Sequence, residues 1–337
     1  MVGIQYRLYE PGDEERILET FNLTFREAWV GPGYVDRTMA EWRWTYPENP
    51  AGFRIMLGFA PDGRVVCQYA GVPMRVWTTE GGGRELSFFH AVDSMSHPEF
   101  RATLRKRSLF VEVAHQFFDA VGGKLDHLGF GYPVRTAWRI GQRYLGYREI
   151  QVLDFLLRPR EALAAPGGIT VEAVRSVSGD VDALERELRA LYPCMTIKSK
   201  RYLDWRYTAC PRHDYVLLEA RRGGRLSGVA VLRTEGSLVP EQATLGDLLL
   251  HPEDSDTLRA LIAAADERAA AAGNAGLLAV QNPNLPLFDA FTALGFRAAP
   301  SANWLERRLG SRDWTAGLDQ AWLAGNWQYS LGDSDLF

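Results

Sequence analysis

The chain has 337 residues, 46% of them hydrophobic, 24% charged and 12% aromatic, which is enough for two domains with a core each. Its 38 Lys and Arg against 42 Asp and Glu leave a net charge of −4, which excludes a generally basic nucleic-acid binder and confines cationic chemistry to local patches. The scattered cysteines Cys67, Cys194 and Cys210 form neither a disulfide framework nor a metal-binding pair. No secretion signal opens the chain and no apolar run is long enough for a membrane span, so a cytoplasmic location is expected.

Alternation over Ile4 to Leu8 predicts a strand, and the turn Glu10-Pro-Gly-Asp13 opens a helix through Ile17, Phe21 and Phe25. The aromatic segment Glu41 to Pro50 follows. Arg54 to Ala60 and Arg64 to Pro73 then read as strands joined by the hairpin turn Pro61-Asp-Gly63. After Gly81-Gly-Gly83 comes the apolar segment Glu85 to Met95, then Ser96-His-Pro-Glu-Phe100, then the basic run Arg101-Ala-Thr-Leu-Arg-Lys-Arg107. Beyond Ser108, the residues Leu109, Phe110, Val113, Phe117 and Val121 recur at helical steps. Four cations just before a helix start suit a phosphate, because the first turn presents free N–H groups and the positive end of the dipole. His127 to Tyr132 reads as a strand, Val134 to Tyr144 as a helix and Ile150 to Leu157 as a strand, giving an α/β layer on a largely central sheet. Arg158 to Gly168 reads as a linker.

Beyond the linker the pattern restarts. Trp42-Arg-Trp-Thr45 is answered by Trp205-Arg-Tyr-Thr208, Asp93-x-x-x-His97-Pro-Glu99 by Asp247-x-x-x-His251-Pro-Glu253, and Leu145-Gly-Tyr-Arg148 by Leu294-Gly-Phe-Arg297. Gly3-Ile4 is likewise answered by Gly168-Ile169. Collinear matches of this kind predict a tandem duplication.

A strand running into His-Pro-x-Phe-Arg, a basic loop opening a helix, a further strand and helix, and then Leu-Gly-Tyr/Phe resembles the GNAT family of acyl-CoA-dependent N-acyltransferases. The resemblance covers nearly the whole chain as two repeats, residues 1–160 and 166–337. It implies an α/β fold of two GNAT-like repeats, each a mixed central sheet flanked by helices. It also implies transfer of an acetyl or other short acyl group from coenzyme A, with no metal, to the amine of a small molecule such as an amino sugar or antibiotic-like compound. In the family, backbone N–H groups of an Arg/Gln-x-x-Gly-x-Gly/Ala loop hold the coenzyme pyrophosphate. Reading that pattern from Arg101 puts Leu104 and Lys106 at the glycine positions. Reading from Arg105 sets Ser108-Leu-Phe110 against the usual Gly-Leu-Phe and keeps the helix phase. The coenzyme candidates are therefore Arg101, Arg105, Lys106, Arg107 and Ser108 for the phosphates, and the backbone of Ser94, Met95 and Ser96 for the thioester carbonyl. The second repeat carries Asp254-Ser-Asp-Thr257 at this point, and its carboxylates would repel a pyrophosphate, which assigns the coenzyme to the first repeat. Two alternatives remain open: a non-catalytic acyl-CoA-binding or scaffold protein, and a Fem-type aminoacyltransferase using aminoacyl-tRNA.

For the reaction itself, the tyrosine that protonates the leaving thiolate in many family members is replaced by Gln142 and Phe291, and Tyr132 at a strand end is the expected substitute. His90 is the expected base, because the degenerate repeat has Thr244 at its place, whereas Asp93 and His97 recur and are expected to serve the fold by capping a turn. In a regular strand His90 and Asp93 would face opposite sides. By analogy with tandem family members that use a main-chain terminal carboxylate, Phe337, or else Asp333 or Asp335, is a second candidate base. Packing between the early helix and the sheet accounts for the recurring aromatic pairs, and one residue of the aromatic segment, Trp44 or Tyr46, is expected also to line the acceptor site.

Overall fold

The computed structural model describes residues 3–29, 33–101 and 108–337. In chain order its first half comprises β1 (Gln5–Leu8), α1 (Glu14–Ala28), α2 (Met39–Thr45), β2 (Arg54–Phe59), β3 (Val65–Thr78), β4 (Arg84–Ser96), α3 (Pro98–Arg101), α4 (Leu109–Val121), β5 (Leu128–Gly131), α5 (Arg135–Ile140), β6 (Arg148–Val152) and β7 (Asp154–Pro159). The strand expected over 150–157 is two strands broken at Leu153, whose N–H donates to the Arg307 carbonyl at 2.8 Å. The second half comprises β8 (Ile169–Val174), α6 (Val181–Arg189), β9 (Cys194–Thr196), α7 (Lys200–Leu203), β10 (Val216–Arg222), β11 (Arg225–Arg233), β12 (Gln242–Leu250), α8 (Ser255–Ala271), β13 (Gly276–Ala279), α9 (Pro286–Ala293), β14 (Arg297–Pro300), β15 (Arg308–Asp313), α10 (Gln320–Asn326) and β16 (Trp327–Gln328).

Packing divides the chain into two compact units, and neither is a single stretch. Unit 1 takes residues 1–74, 87–148 and 310–316, and unit 2 takes 75–86, 149–309 and 317–337. The sequence reading placed one boundary, between 160 and 166. The observed division differs because β15 pairs antiparallel with β5 in unit 1, while β7 pairs with β13 and β14 in unit 2. Arg158, read as the start of the linker, belongs to β7 and is only 2% exposed. Its guanidinium forms an ion pair with Asp266 and donates to the Leu294 carbonyl at 2.9 Å and to the Glu161 carbonyl at 2.8 Å.

In unit 1 the strand order is β1, β2, β3, β4, β5, β15, with β4 and β5 parallel and β1–β2, β2–β3 and β5–β15 antiparallel. One face packs on α4 through Phe117, Phe118, Val113 and Val121 with Tyr69 and Phe89. The other packs on α1 and α2 through Ile17, Phe21, Trp42 and Tyr46 with Leu57, Ala70 and Val92. The helical stripe on α4 predicted from its spacing is the one that is buried. Phe89 occupies the centre of the α4 face because both flanking strands offer it a glycine. A Cβ on Gly71 would lie 2.7 Å from its ring, and one on Gly129 would fall inside the ring's van der Waals envelope. Unit 2 is a mixed sheet in the order β14, β7, β13, β12, β11, β10, β8, with β12 and β13 parallel, and α8 packs on several of its strands. Each unit is thus a mixed sheet flanked by helices, as expected. Among the described residues no helix is long and apolar enough to cross a membrane.

The glycine at 129 yields a test. Gly129→Ala forces the Phe89 ring aside in a closely packed face, and destabilisation by about 1–3 kcal/mol is expected in denaturant unfolding. The same change at Gly179, which has no positive φ and whose added Cβ meets nothing within 4 Å, serves as a comparison for loss of glycine alone.

Candidate functional site

The candidate site lies in unit 1 where β4 and β5 part. Their parallel pairing covers Phe88 with Leu128, Phe89 with Gly129 and His90 with Phe130; β4 then runs on to Ser96 while β5 ends at Gly131. Three residues past His90, Asp93 adopts φ 52°, a left-handed conformation that a non-glycine residue rarely takes and that costs roughly 1–2 kcal/mol. The surroundings hold it there. Arg37 forms an ion pair with the carboxylate and also donates through Nη2 at 3.1 Å, the Tyr46 hydroxyl donates at 2.6 Å, and Gln68 Nε2 donates to the Asp93 carbonyl at 2.9 Å. Pairing with β3 continues beyond the kink, where the His97 N–H donates to the Val66 carbonyl at 2.8 Å.

This kink changes the expected facing of His90 and Asp93. Val92 and Tyr46 share the core on the α1–α2 face, and strand alternation puts His90 on the face of Val92. The left-handed residue swings the Asp93 carboxylate to Tyr46 on that same face. His90 and Asp93, expected on opposite sides, therefore share one.

His90 is 4% exposed and stacks on Phe130 with ring centroids 5.1 Å apart. Tyr132, just past the end of β5, meets the His90 ring edge-on at 6.1 Å. The structure thus brings together the two side chains read as base and acid. Tyr147 of the Leu-Gly-Tyr motif is bonded to Tyr69 at 2.6 Å between hydroxyls, and burial pushes its phenol up to about 12. Tyr144 is 47% exposed.

Of the coenzyme candidates, Met95 is buried in the core and Ser94 and Ser96 are partly buried. Arg101 is exposed and donates through Nε to the Ser96 carbonyl at 2.9 Å. Ser108 caps α4 by accepting the Val111 N–H at 3.4 Å. Arg105, Lys106 and Arg107 lie outside the described residues. In unit 2 the matching helix start is capped by an acid: Asp254 accepts the Thr257 N–H at 3.0 Å and the Thr257 hydroxyl at 2.7 Å, and pairs with Arg222 at 2.6 Å. A neutral serine cap in unit 1 and an ionised, already engaged cap in unit 2 agree with an anion seat in the first only. Among the described residues no group of three or more His, Cys, Asp or Glu could hold a metal.

Phe337 belongs to unit 2, where it is 2% exposed and its backbone oxygen accepts Arg206 Nη2 at 2.8 Å. Asp333 is buried there beside Lys198, at 3.3 Å, and Asp335 is exposed. Tyr46 is fully buried, whereas Trp44 is partly exposed. Of the two residues expected to cap a turn, the histidine does so: His97 Nδ1 accepts the Glu99 N–H at 3.3 Å, and His251 Nδ1 accepts that of Glu253 at 3.2 Å, whereas the Asp93 carboxylate takes the Arg37 and Tyr46 side chains instead. Sequence reasoning missed the cation and tyrosine that hold Asp93. Unit 2 repeats them, with Asp247 bonded to Lys198 and to the Tyr207 hydroxyl at 2.7 Å. Lys198 and Tyr207 each lie 161 residues after Arg37 and Tyr46, so the structural counterpart of Tyr207 is Tyr46, two residues beyond the Trp44 that the tryptophan motif aligned with it. A scan for charged and aromatic residues recurring at one shared offset would have found the pair.

No protein-family model matches the sequence, and no curated protein matches it. The fold does have solved counterparts. A GCN5-related N-acetyltransferase from Anabaena variabilis superposes with a TM-score of 0.65 at 11% identity, over 92% of this chain and 73% of that one. One from Kribbella flavida gives 0.61 at 17%, over 93% and 71%. A tandem GNAT protein from the clavulanic acid biosynthesis pathway gives 0.55 at 14%, over 92% and 98%. At these identities the likeness establishes the fold, and the chain has the fold of the GCN5-related N-acetyltransferases.

The hold on Asp93 separates two substitutions. Asp93→Ala and Asp93→Gly both leave Arg37 without its carboxylate, at a cost of about 3 kcal/mol, but glycine adopts the left-handed backbone freely. The alanine variant is expected to be the less stable by about 1 kcal/mol in urea unfolding. Equal stabilities would mean that the backbone at 93 carries no strain.

Proposed function

We propose that the protein is an acyl-CoA-dependent N-acyltransferase that works in unit 1 and passes an acetyl or other short acyl group to the amine of a small molecule. The observation that carries this reading is the parting of β4 from β5 just beyond His90 and Phe130, with two titratable side chains, His90 of β4 and Tyr132 just past β5, at its edge. A coenzyme A thioester bound there supplies the activated acyl group. The backbone of Ser94 to Ser96 beyond the kink would polarise its carbonyl, and the α4 N-terminus at Ser108, with the cations preceding it, would take its phosphates. His90 removes a proton from the incoming ammonium, and Tyr132 gives one to the leaving thiolate. His90 is favoured over the C-terminal candidates because Asp333 and the Phe337 oxygen are engaged by Lys198 and Arg206 within unit 2. The partly exposed Trp44, rather than the buried Tyr46, is the residue of the aromatic segment suited to an acceptor.

Calorimetry with acetyl-CoA tests the first step. Binding at one site is expected, weakened at least about tenfold by Arg105→Ala with Arg107→Ala through loss of charge-assisted phosphate contacts. No binding, or binding that the double variant leaves unchanged, would sink the reading. His90→Gln should retain acetyl-CoA affinity but lower kcat by about 10²- to 10⁴-fold on a responsive amine. A basic histidine must be neutral to act, so the wild-type rate falls as pH drops through its pKa, and the variant should lose that acidic limb. A binding-only protein would instead take up acetyl-CoA and turn over none of the amines supplied.

A further inference from the structure

Unit 2 contains a second parting of parallel strands. Pairing of β12 with β13 runs from Gln242 with Gly276 to Leu245 with Ala279, after which β13 ends and β12 continues to Leu250. The register of β12 against β11 shifts at the same point, as Val231 faces Asp247 and Leu232 faces Leu245. Gly246 is the residue bulged out. In the repeat alignment it matches Val92, immediately before the Asp93 kink of unit 1.

The chain's own segment Leu331–Phe337 fills this place. The Phe337 ring lies so close to Gly246 that any Cβ there would penetrate it, and Tyr207 and Tyr215 flank it at 5.9 and 5.0 Å. Gly332 approaches the other side, where a Cβ would sit 2.8 Å from Asp247 Oδ2 and clash with the Tyr207 hydroxyl. Two buried arginines grip the segment's carbonyls. Arg206 donates to Ser334 at 2.7 Å, Phe337 at 2.8 Å and Gly332 at 3.4 Å, and Arg233 donates to Leu336 at 3.4 Å with its guanidinium 5.2 Å from the centre of the Phe337 ring. Thr45 stands 161 residues before Arg206, so unit 1 has no arginine at the matching place. Bulge glycine, aromatic walls and carbonyl clamp form a built site for an aromatic residue with flanking peptide carbonyls.

We infer that Leu331–Phe337 is an internal ligand of unit 2, seated by Arg206 and Arg233 in the cleft that the duplication left beside Gly246, and that this cleft is thereby closed to outside ligands. The inference stands whether or not unit 1 transfers acyl groups. Phe337→Ala empties the aromatic seat. Benzene is then expected to raise the Tm of the variant by on the order of 2–4 °C and that of the wild type not at all, because the Tyr207 and Tyr215 walls and the Arg233 guanidinium that hold the Phe337 ring can hold a small aromatic in its place. Gly246→Ala should expel the ring without emptying the chain of it, and amide exchange in 331–337 should rise at least about tenfold while acetyl-CoA affinity stays as in the wild type. An unchanged exchange rate in Gly246→Ala, or a benzene shift equal in wild type and Phe337→Ala, would overturn the inference. If Phe337→Ala fails to fold, Phe337→Leu, which half-fills the seat, is expected to show the same benzene shift at smaller size, and its absence would count equally against the proposal.

Discussion

The contact between the Arg37 guanidinium and the Asp93 carboxylate, completed by the Tyr46 hydroxyl, is the constraint around which unit 1 is arranged. A left-handed aspartate in the middle of a thirteen-residue strand would relax to extended backbone if nothing opposed it. Three donors, one of them charged, keep it kinked, and Gln68 holds the carbonyl so that the turn cannot be undone from the other side. Since Arg37 and Tyr46 flank α2, the helix that closes the α1–α2 face also sets where β4 leaves β5. Packing on that face and the geometry of the cleft are therefore one problem for the chain, and strain at Asp93 is maintained by burial elsewhere.

The duplicated arrangement shows what changes when the cation changes. Arg37 presents a planar fork and reaches one carboxylate through both terminal nitrogens. Lys198 is a compact charge and gathers Asp247, Asp333 and Ser330 around itself. Burial opposes its charge, yet the two carboxylates hold its ammonium well above the ordinary lysine range, while burial pushes Asp333 up. The lysine thereby ties the segment after Ser330 to β12, and the extra acid it requires comes from that segment. One repeat spends its cation on shaping a strand, and the other uses it to retain a piece of chain.

How much of this was legible follows from the range of each interaction. The α4 stripe, the β2–β3 hairpin and the His-Pro turns were readable because their causes are local: helical spacing, Pro-Asp-Gly, and a histidine accepting an N–H two residues on. The repeat was readable because Asp93 and Asp247 sit in recognisable motifs. The facing of Asp93 was not, since it depends on Arg37, 56 residues away, and a period-two argument assumes the regular backbone that the arginine removes. The seat of Phe337 was hidden for the same reason: Gly246 looked like an ordinary strand glycine until the ring lay over it. Arg158 shows the opposite error. Alanines, prolines and glycines after it suggested a linker, but its own burial is determined by Asp266 and Leu294, both distant in sequence.

The interleaving of the two units bears on the order in which the protein can be made. β5 receives its antiparallel neighbour β15 only from residues 308–313, although the rest of unit 1, apart from residues 314–316, is synthesised by residue 148. At a ribosomal rate of about 5–20 residues per second, β5 waits roughly 10–30 seconds with one edge unpaired. An open edge of that kind invites pairing with another chain, and β5 is short and carries two glycines, Gly129 and Gly131, which make it a poor template. The glycine that accommodates Phe89 in the finished sheet thus also protects the nascent one during its wait.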